Sequence, residues 1–496
     1  MTSDQTRTVD VAVIGAGPTG LTAATLLATH GIGCVVLDRW PSTYPQPRAV
    51  HLDDEVYRIL ARLGVAEEFA AISRPAHGLR LLDPKMRVLA EFRRAAEAGP
   101  HGFPAANMFD QPELEGILRA NIKRFKQIEL IGGVEVTALS QDATGVDVRY
   151  RESATGASRF VRARYVLGCD GANSITRTTI GSSMRELKFA QRWLVVDIAT
   201  DADLGHWEGV HQVCNPAGAA TFMRIGRSRY RWEFQLGRGE SAENHRNIAQ
   251  LRSLIDPWTR HVPDEQLELI RVADYTFRAQ IADRWRDRRI FLLGDAAHLT
   301  PPFIGQGMGA GLRDAMNLTW KLAAVLTDRL PEHILDSYET EREPHARSMI
   351  RLAKLVGTLM TSGGRPGNAL RALIAPRLHR IPGVKGLILS SKTPALDRSA
   401  LVVKPRLRRT LAGTLCPGAL LPDAPDGRFA LVTGIDPSGA NYRAAAQRGI
   451  VVHCVRPGTP LHQWLRSGRT QAALVRPDGA VMHTGRNLDT LINALL

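Results

Sequence analysis

Residues 9–38 read VDVAVIGAGPTGLTAATLLATHGIGCVVLD, a pattern that predicts a strand, a glycine-rich turn, a helix and a second strand. In such a unit Gly15 permits a tight turn, Gly17 lets the backbone approach a pyrophosphate, and Gly20 lets the helix pack against the strand. The N-terminus of the helix offers free N–H groups and partial positive charge to phosphates. The stretch therefore predicts a dinucleotide-binding turn.

Asp38 ends the second strand, about 18 residues after Gly20. The expected spacing for an acid that binds a ribose hydroxyl is about 20 residues. Strand, turn, helix and acid together predict a site for an ADP-containing dinucleotide. This motif alone does not distinguish NAD, NADP and FAD.

Composition and charge narrow the class of protein. The 496 residues carry a net charge of +15 from 64 basic and 49 acidic side chains, and 44% are apolar, which is typical of a globular protein. No run reaches the roughly 18 apolar residues of a membrane-spanning helix, and the polar N-terminus is unlike a secretory signal. Five cysteines without C-x-x-C spacing predict free thiols in the cytoplasm and no metal site.

Much of the positive charge is concentrated in one segment. Between Arg365 and Arg409, eleven basic residues stand against the single acid Asp397. A binder of nucleic acid or of an acidic lipid surface is one interpretation. We favour a solvated segment that bridges two domains, because it has no aromatic residues to stack on bases. No nucleic-acid partner is expected.

Two later motifs extend the dinucleotide signal. Gly168-Cys169-Asp170-Gly171 follows a predicted strand, and Gly294-Asp295-Ala296-Ala297-His298 follows another and leads into a glycine-rich loop. With all three motifs in this order, the chain resembles the single-component FAD-dependent aromatic hydroxylases. It is most similar to the branch of 3-(3-hydroxyphenyl)propionate hydroxylases and aromatic polyketide hydroxylases. The resemblance covers residues 8–350 well and the tail only loosely.

The resemblance implies an α/β (α+β) protein with a Rossmann-like FAD-binding domain. An inserted, mostly antiparallel β-sheet domain would bind substrate, and a small thioredoxin-like α/β tail would lack C-x-x-C. The expected divisions are residues 1–180 and 285–395 for the two parts of the FAD-binding domain, 181–284 for the substrate domain and 396–496 for the tail. The second part of the FAD-binding domain, residues 285–395, would include helices and the basic segment, which continues into the start of the tail.

The resemblance also implies which residues contact the cofactor. Asp38 would bind the adenosine ribose, Arg48 the flavin or its phosphates, and Asp295 the ribityl chain. Gln111 would lie beside the cofactor at the start of a helix. The full set is Gly15, Gly17, Pro18, Thr19, Gly20, Asp38, Arg39, Arg48, Gln111, Asp170, Gly171, Asp295, Pro302, Gly305, Gln306, Gly307, Met308 and Gly309.

The activity implied by the resemblance is hydroxylation of a phenolic or otherwise electron-rich aromatic substrate by molecular oxygen, through a flavin 4a-hydroperoxide. NADPH or NADH would bind transiently as the electron donor, because only one dinucleotide fold is visible. The protein would act as a cytoplasmic monomer or homodimer.

Candidates for the chemistry itself are fewer. His51 follows the Arg48 segment, and a base near neutral pH could deprotonate a phenol. His298 is interpreted as a structural brace for the loop under the flavin. Candidates to line a substrate pocket are Gln212, Phe222, Arg224, Trp232, Phe234 and Pro301.

Three alternatives stay open at this point. One is a flavoprotein of the same fold that performs Baeyer–Villiger oxygen insertion or N-hydroxylation. Another is an NAD-dependent dehydrogenase without flavin. The third, from a different class, is a basic nucleic-acid or membrane-surface binder that uses the segment of residues 365–409.

Overall fold

The computed structural model describes residues 7–46, 48–94, 98–215, 217–237, 239–361, 393–405, 410–417 and 427–495. Most of the basic segment, residues 365–392 and 406–409, lies outside these ranges, so the predictions for it concern residues that the structure does not describe. Within the described ranges, no helix combines the length and apolar character needed to span a bilayer.

An eight-stranded sheet carries the glycine-rich turn. Its main path runs in the spatial order Arg286–Asp287, Ile290–Leu292, Ser158–Gly168, Thr8–Ile14, Cys34–Asp38 and Ile128–Gly132, and Val134–Gln141 and Val146–Glu152 extend it from Ser158–Gly168. Four neighbouring pairs along the path are parallel. Parallel strands are covered on both faces, which explains why Cys34–Asp38 is buried throughout.

A second eight-stranded sheet is mostly antiparallel. Its order is His298–Leu299, Glu268–Ala282, Met184–Ala199, Arg229–Gln235, Ala220–Arg224, Val210–Val213, Gly78–Leu82 and Val88–Arg93. The last two strands form a hairpin around Asp83-Pro84-Lys85. Of the two, Gly78–Leu82 also pairs in parallel with Val210–Val213, a pairing that was not predicted and that joins an early part of the chain to the inserted sheet.

A short third sheet contains His51–Asp53, Ala106–Met108 and Arg74–Pro75. The α-helices of the described residues are Pro18–Thr29, Asp54–Arg62, Ala66–Ile72, Gln111–Ile122, Ile175–Thr179, Ile248–Thr259, Gly307–Leu326, Ser337–Thr361, Gly439–Gln447, Pro460–Ser467 and Leu488–Ile492. Short 3₁₀ turns occur at Ala242–Asn244, Asp264–Gln266, Gly294–Ala296, Pro302–Ile304 and Glu332–Asp336. The helix Gly307–Leu326 begins within the glycine-rich loop that follows Asp295.

The tail has a four-stranded sheet of its own, in the order Val451–Cys454, Ala430–Thr433, Ala472–Val475 and Val481–Gly485. It is fixed to the rest of the chain by buried charges. The carboxylate of Glu341 accepts hydrogen bonds from Lys321 at 2.9 Å and from Arg476 of the tail at 2.8 Å. All three side chains are fully buried.

The predicted α/β (α+β) class is confirmed, with a largely parallel sheet beside a mostly antiparallel one. The division of the chain at residues 180, 284 and 395 stays a prediction, and so does the thioredoxin-like character of the tail.

Candidate active site

Three backbone turns meet at the carboxyl end of the parallel strands. They are Gly15–Gly20, Gly168–Gly171 and Gly294–Asp295, and we refer to them together as the glycine cradle. A Cβ atom on Gly15 would lie 2.4 Å from the carbonyl oxygen of Cys169, and Gly15 has φ of +102°. Only glycine therefore fits where the first two turns touch.

The third turn is held just as closely. The side chain of Thr19 lies between two glycines: a Cβ atom on Gly294 would approach Thr19 Oγ1 to 2.9 Å, and one on Gly311 to 2.3 Å. In contrast, a Cβ atom on Gly17 would meet nothing within 4 Å. The cradle is thus closely packed behind Gly17 and open in front of it.

The helix Pro18–Thr29 begins at the cradle, and its N-cap residue Gly17 provides no side-chain cap. Its first N–H groups therefore remain available to an anion. Asp38 accepts hydrogen bonds from the backbone N–H groups of Ala16 and, at 2.6 Å, of Trp40. Its carboxylate braces the turn from the neighbouring strand.

Asp170 also uses its carboxylate within the protein. It accepts hydrogen bonds from Ser174 Oγ at 2.6 Å and from both the backbone N–H and the hydroxyl of Thr176 at 3.0 Å. Arg177 then links two turns of the cradle, since it donates to the carbonyl oxygens of Ala172 and Ala296. Gly171, with φ of +80°, is left beside the open space.

The turn that carries Asp295 is held by Asp314 of the helix Gly307–Leu326. Asp314 accepts hydrogen bonds from Gly294 N at 3.0 Å, His298 Nε2 at 2.8 Å and Arg342 Nε at 2.8 Å. The structural role predicted for His298 agrees with this fully buried pair.

The carboxylate of Asp295 faces the open space in front of the cradle. Burial raises its pKa, against the charges of His298 and Arg48. Among the described residues, no group donates a hydrogen bond to it. The side chain is only partly buried at the cavity surface, and a ligand that brings hydroxyl groups would suit a carboxylate that no protein donor occupies.

The loop Gly305–Gly309 closes another side of the space. Gly305 is left-handed, with φ of +61°, and a Cβ atom there would lie 2.6 Å from His51 Nδ1. The Gln306 side chain donates to Asp53 at 2.8 Å and accepts from Arg313 at 2.9 Å. Its side chain is therefore occupied, and a contact with a ligand would come from its backbone.

One cavity of about 420 Å³ connects these features. Twelve of the residues predicted to bind the cofactor line it: Gly17, Pro18, Thr19, Arg48, Gln111, Gly171, Asp295, Pro302, Gly305, Gln306, Gly307 and Met308. Gly15, Gly20, Asp38, Arg39, Asp170 and Gly309 do not line it. Of the latter group, Gly15, Gly20, Asp38 and Asp170 support the cradle from behind or from the side.

The predicted substrate residues are divided. Gln212 lines the cavity. Phe222, Trp232 and Phe234 do not, because they lie in the hydrophobic core of the second sheet. Arg224 pairs with Glu208 at 3.0 Å, and Pro301 lies outside the cavity lining. The substrate role of these five residues stays a prediction that their placement does not support.

The far wall of the cavity was missed by the sequence analysis. It is formed by Arg94, Arg231, Arg271, Tyr275 and Phe277, which we call the arginine chamber. Arg231 lies 2.7 Å from Asp197 in an ion pair with almost no solvent exposure. No motif marks these residues: Arg231 stands between the core residues Tyr230 and Trp232, and Phe277 is itself a core residue of its strand.

Residues 8–353 match the protein family described as FAD binding domain. This chain belongs to that family. The resemblance to FAD-dependent hydroxylases is thereby confirmed, and the alternative of a dehydrogenase without flavin is wrong. FAD is the cofactor, and the chain is a flavoprotein.

Relatives and solved structures agree with the family. The flavoprotein is 39% identical over 356 residues to a probable NADH-specific resorcinol 4-hydroxylase of Rhodococcus jostii, covering 72% of this chain and 66% of the relative. It is 36% identical over 390 residues to a 3-(3-hydroxy-phenyl)propionate/3-hydroxycinnamic acid hydroxylase of Mycolicibacterium gilvum, covering 79% and 67%. The flavoprotein thus spans about two thirds of the length of these relatives.

The fold is shared with a crystal structure of aklavinone-11 hydroxylase with FAD and aklavinone. The TM-score is 0.80 at 24% identity, and the match covers 100% of this chain and 99% of the other. The flavin-dependent monooxygenase PieE gives a TM-score of 0.78 at 23% identity, covering 98% of each chain.

His51 of the flavoprotein lies beside the loop Gly305–Gly309 and within electrostatic range of Arg94 in the arginine chamber. Burial, aided by the charge of Arg94, lowers the pKa of His51 to about 4. Its Nδ1 is 3.4 Å from the carbonyl oxygen of Gly305. The ring is therefore neutral at pH 7, and it can accept a hydrogen bond but is a weak base.

Proposed function

We propose that the flavoprotein hydroxylates a phenolic aromatic ring, using a nicotinamide donor and molecular oxygen. The observation that supports this most strongly is the single cavity that runs from the glycine cradle to the arginine chamber. The glycine-rich turn and a partly aromatic, positively charged compartment line the same space. The relatives from Rhodococcus jostii and Mycolicibacterium gilvum are both named as hydroxylases of phenolic compounds.

FAD would be held mainly by backbone. Gly15, Gly17 and Gly20 would receive the pyrophosphate at the start of the helix Pro18–Thr29, and Asp38 would bind near the adenosine ribose. The carboxylate of Asp295, which receives no hydrogen bond from the described residues, could accept hydrogen bonds from the hydroxyl groups of a ribityl chain. The chemistry that FAD supplies when bound is acceptance of hydride and activation of O₂.

The helix Gly307–Leu326 contributes electrostatically. Its N-cap residue Gln306 makes no side-chain cap, so N–H groups of the first turn stay available at the cavity. The positive end of the helix stabilises negative charge that develops on a bound ring.

The chain's own side chains prepare the substrate. Phe277 and Phe303 of the cavity wall exclude water from the reacting ring, which suppresses side reactions. The arginine chamber lowers the pKa of a phenol bound inside it, because nearby positive charge favours the anion. The neutral ring of His51 can accept the phenolic hydrogen bond and orient the substrate, and this role replaces that of the base near neutral pH expected from the sequence.

NADH is the favoured donor, since one relative is named NADH-specific. It would bind transiently in a groove at the mouth of the cavity. No disulfide joins any of the five cysteines, all of which lie in the described ranges, and this supports action in a reducing cytoplasm. A monomer or a homodimer would suffice, because the described cavity is formed by one chain.

Labelled oxygen gives the deciding test. Purified protein should absorb near 450 nm (about where oxidised flavin absorbs) and should oxidise NADH faster when phenols are added. With ¹⁸O₂, the product should gain one labelled oxygen on the aromatic ring. A label in an ester linkage or on nitrogen would instead support Baeyer–Villiger or N-hydroxylation chemistry, and no label on any product would refute the proposal.

A variant tests the cofactor site independently. Asp295→Ala removes the carboxylate offered to the ribityl chain, so the purified variant should retain markedly less FAD per protein. Asp287→Ala, a change at a partly exposed aspartate of the same sheet, is the control and should keep its flavin. Full flavin content in Asp295→Ala would contradict the ribityl role.

A further inference from the structure

The cavity carries more positive than negative charge. Its lining includes five arginines and two carboxylates: Arg48, Arg94, Arg231, Arg271 and Arg278, with Glu233 and Asp295. The positive charge of several of these arginines is already compensated by another protein group or by solvent. Arg231 pairs with Asp197, Arg48 lies 5.3 Å from the centre of the Tyr44 ring, and Arg278 is exposed. The charge of Asp197 also acts on Arg271, whose Nε atom is buried.

Arg94 has none of these partners. It follows the strand Val88–Arg93, and its Nε atom is buried without a hydrogen-bond partner. Among the described residues, no carboxylate forms an ion pair with it. Burial lowers the pKa of Arg94 to about 10, so the guanidinium is still charged at neutral pH. The charge of Asp53 acts on Arg94 from a distance, but that carboxylate is already paired with Arg313. A buried charge without a counterion of its own is costly, and a ligand anion would remove that cost.

His51 provides a second unpartnered group near Arg94. Its Nδ1 faces Gly305, whereas its Nε2 is buried and has no partner. The charge of Arg94 is among the causes that lower the pKa of His51, which places the two groups within electrostatic range. Because the imidazole is neutral, it does not compete with Arg94 for an anion.

We propose that Arg94 is a specificity-determining residue that binds the carboxylate of an aromatic acid. The substrate class would then be phenols that carry a carboxylate side chain, rather than neutral phenols. A guanidinium matches a carboxylate with two parallel hydrogen bonds, and a permanently ionised group satisfies a permanently charged arginine. The apolar lining at Phe277, Phe303 and Met349 accommodates the ring.

This inference rests on the proposed function, but binding can be measured without turnover. The holoenzyme is titrated in the absence of NADH with 3-(3-hydroxyphenyl)propionate, and with 3-(3-hydroxyphenyl)propan-1-ol as a neutral analogue of nearly the same shape. The change in flavin absorbance reports the Kd of each. Failure of hydroxylation would leave these Kd values interpretable.

Arg94→Met should raise the Kd of the acid about ten- to a hundredfold, the range expected for lost hydrogen bonds to a charged group. The Kd of the alcohol should change less than about twofold. Arg94→Lys keeps the positive charge but loses the two parallel donors of the guanidinium, so its Kd for the acid should lie between those of wild type and Arg94→Met.

Arg93→Met is the matched control. Arg93 is the preceding residue, its side chain is exposed, and it pairs with Glu91 on the outside of the sheet. It should bind both compounds as wild type does. If Arg94→Met does not retain FAD, Arg94→Lys decides the matter. Equal losses for acid and alcohol, or an unchanged Kd for the acid, would overturn the proposal.

Discussion

The glycine cradle and the arginine chamber face each other across one cavity but are built by opposite means. The cradle is formed by backbone from three separate turns, and its critical residues are those whose side chains are missing. The chamber is formed by large side chains on strands and on a segment that follows one, and four of its five residues carry charge or a hydroxyl. The cradle offers backbone groups to a ligand, whereas the chamber offers side-chain groups.

This difference predicts how each side responds to mutation. In the cradle, a methyl group added at Gly15 or Gly20 collides with a backbone carbonyl oxygen of the same or a neighbouring turn. In the chamber, a substituted side chain leaves the backbone in place and changes affinity or stability by the interactions it removes. Substitutions in the cradle should therefore abolish most FAD binding at once, whereas substitutions in the chamber should reduce affinity or stability by degrees.

The largest expected effect is in the cradle. A Cβ atom on Gly20 would lie 1.9 Å from the carbonyl oxygen of Gly15, so Gly20→Ala should displace the turn and reduce retained FAD to below about a tenth of wild type. The ratio of flavin to protein absorbance measures this.

Gly116→Ala provides the steric control, because a Cβ atom on this glycine of the helix Gln111–Ile122 would meet nothing within 4 Å. It should keep its FAD and gain up to about 1 kcal/mol in free energy of unfolding. Normal flavin content in Gly20→Ala would break the contrast between the two sides.

The next effect concerns stability in the chamber. Arg231→Met leaves the buried carboxylate of Asp197 without its partner, which should lower the free energy of unfolding by about 3–5 kcal/mol. Urea titration measures the loss, and purified variant should still contain FAD. Arg192→Met breaks a more exposed ion pair with Asp274 in the same sheet and should cost less than about 1 kcal/mol. Equal losses in the two variants would show that burial is not the cause.

The smallest effect is at the border of the two sides. Because the pKa of His51 falls from 6.5 to about 4 on folding, the unfolded chain binds more protons between these values. Wild-type stability relative to His51→Gln should therefore decline as the pH falls from 6.5 towards 4, by at most about 1.4 kcal/mol per pH unit. Unfolding measured at several pH values for both proteins tests this, and parallel curves would contradict a buried neutral imidazole.

The two sides also differed in how far they could be predicted from sequence. The first turn of the cradle could be predicted from glycine spacing, because tight turns and close backbone approach require glycine at particular positions. Gly171 and Asp295 were implied by the resemblance to FAD-dependent hydroxylases, and the structure places both in the same cavity as Gly17. The roles of Asp38 and Gln306 were harder to anticipate, since their side chains are already occupied by Ala16 and Asp53.

The chamber could not be predicted in the same way. Alternation along a strand shows that residues face two sides, but not which side encloses a cavity and which a core. Phe222 and Trp232 were therefore chosen as substrate residues and proved to be core. Arg94 was missed because it follows a strand whose sheet position depends on an unforeseen parallel pairing, between Gly78–Leu82 and Val210–Val213.

The buried triad of Lys321, Glu341 and Arg476 has a consequence for the architecture of the whole chain. Two of its members belong to helices of the body, and the third comes from the tail. A shortened chain, or a chimera with a foreign tail, would leave Glu341 with half of its counterions in a dry interior. The tail is thus an integral part of the fold. If this region were exchanged between related enzymes, the new tail would have to supply a guanidinium at the same position.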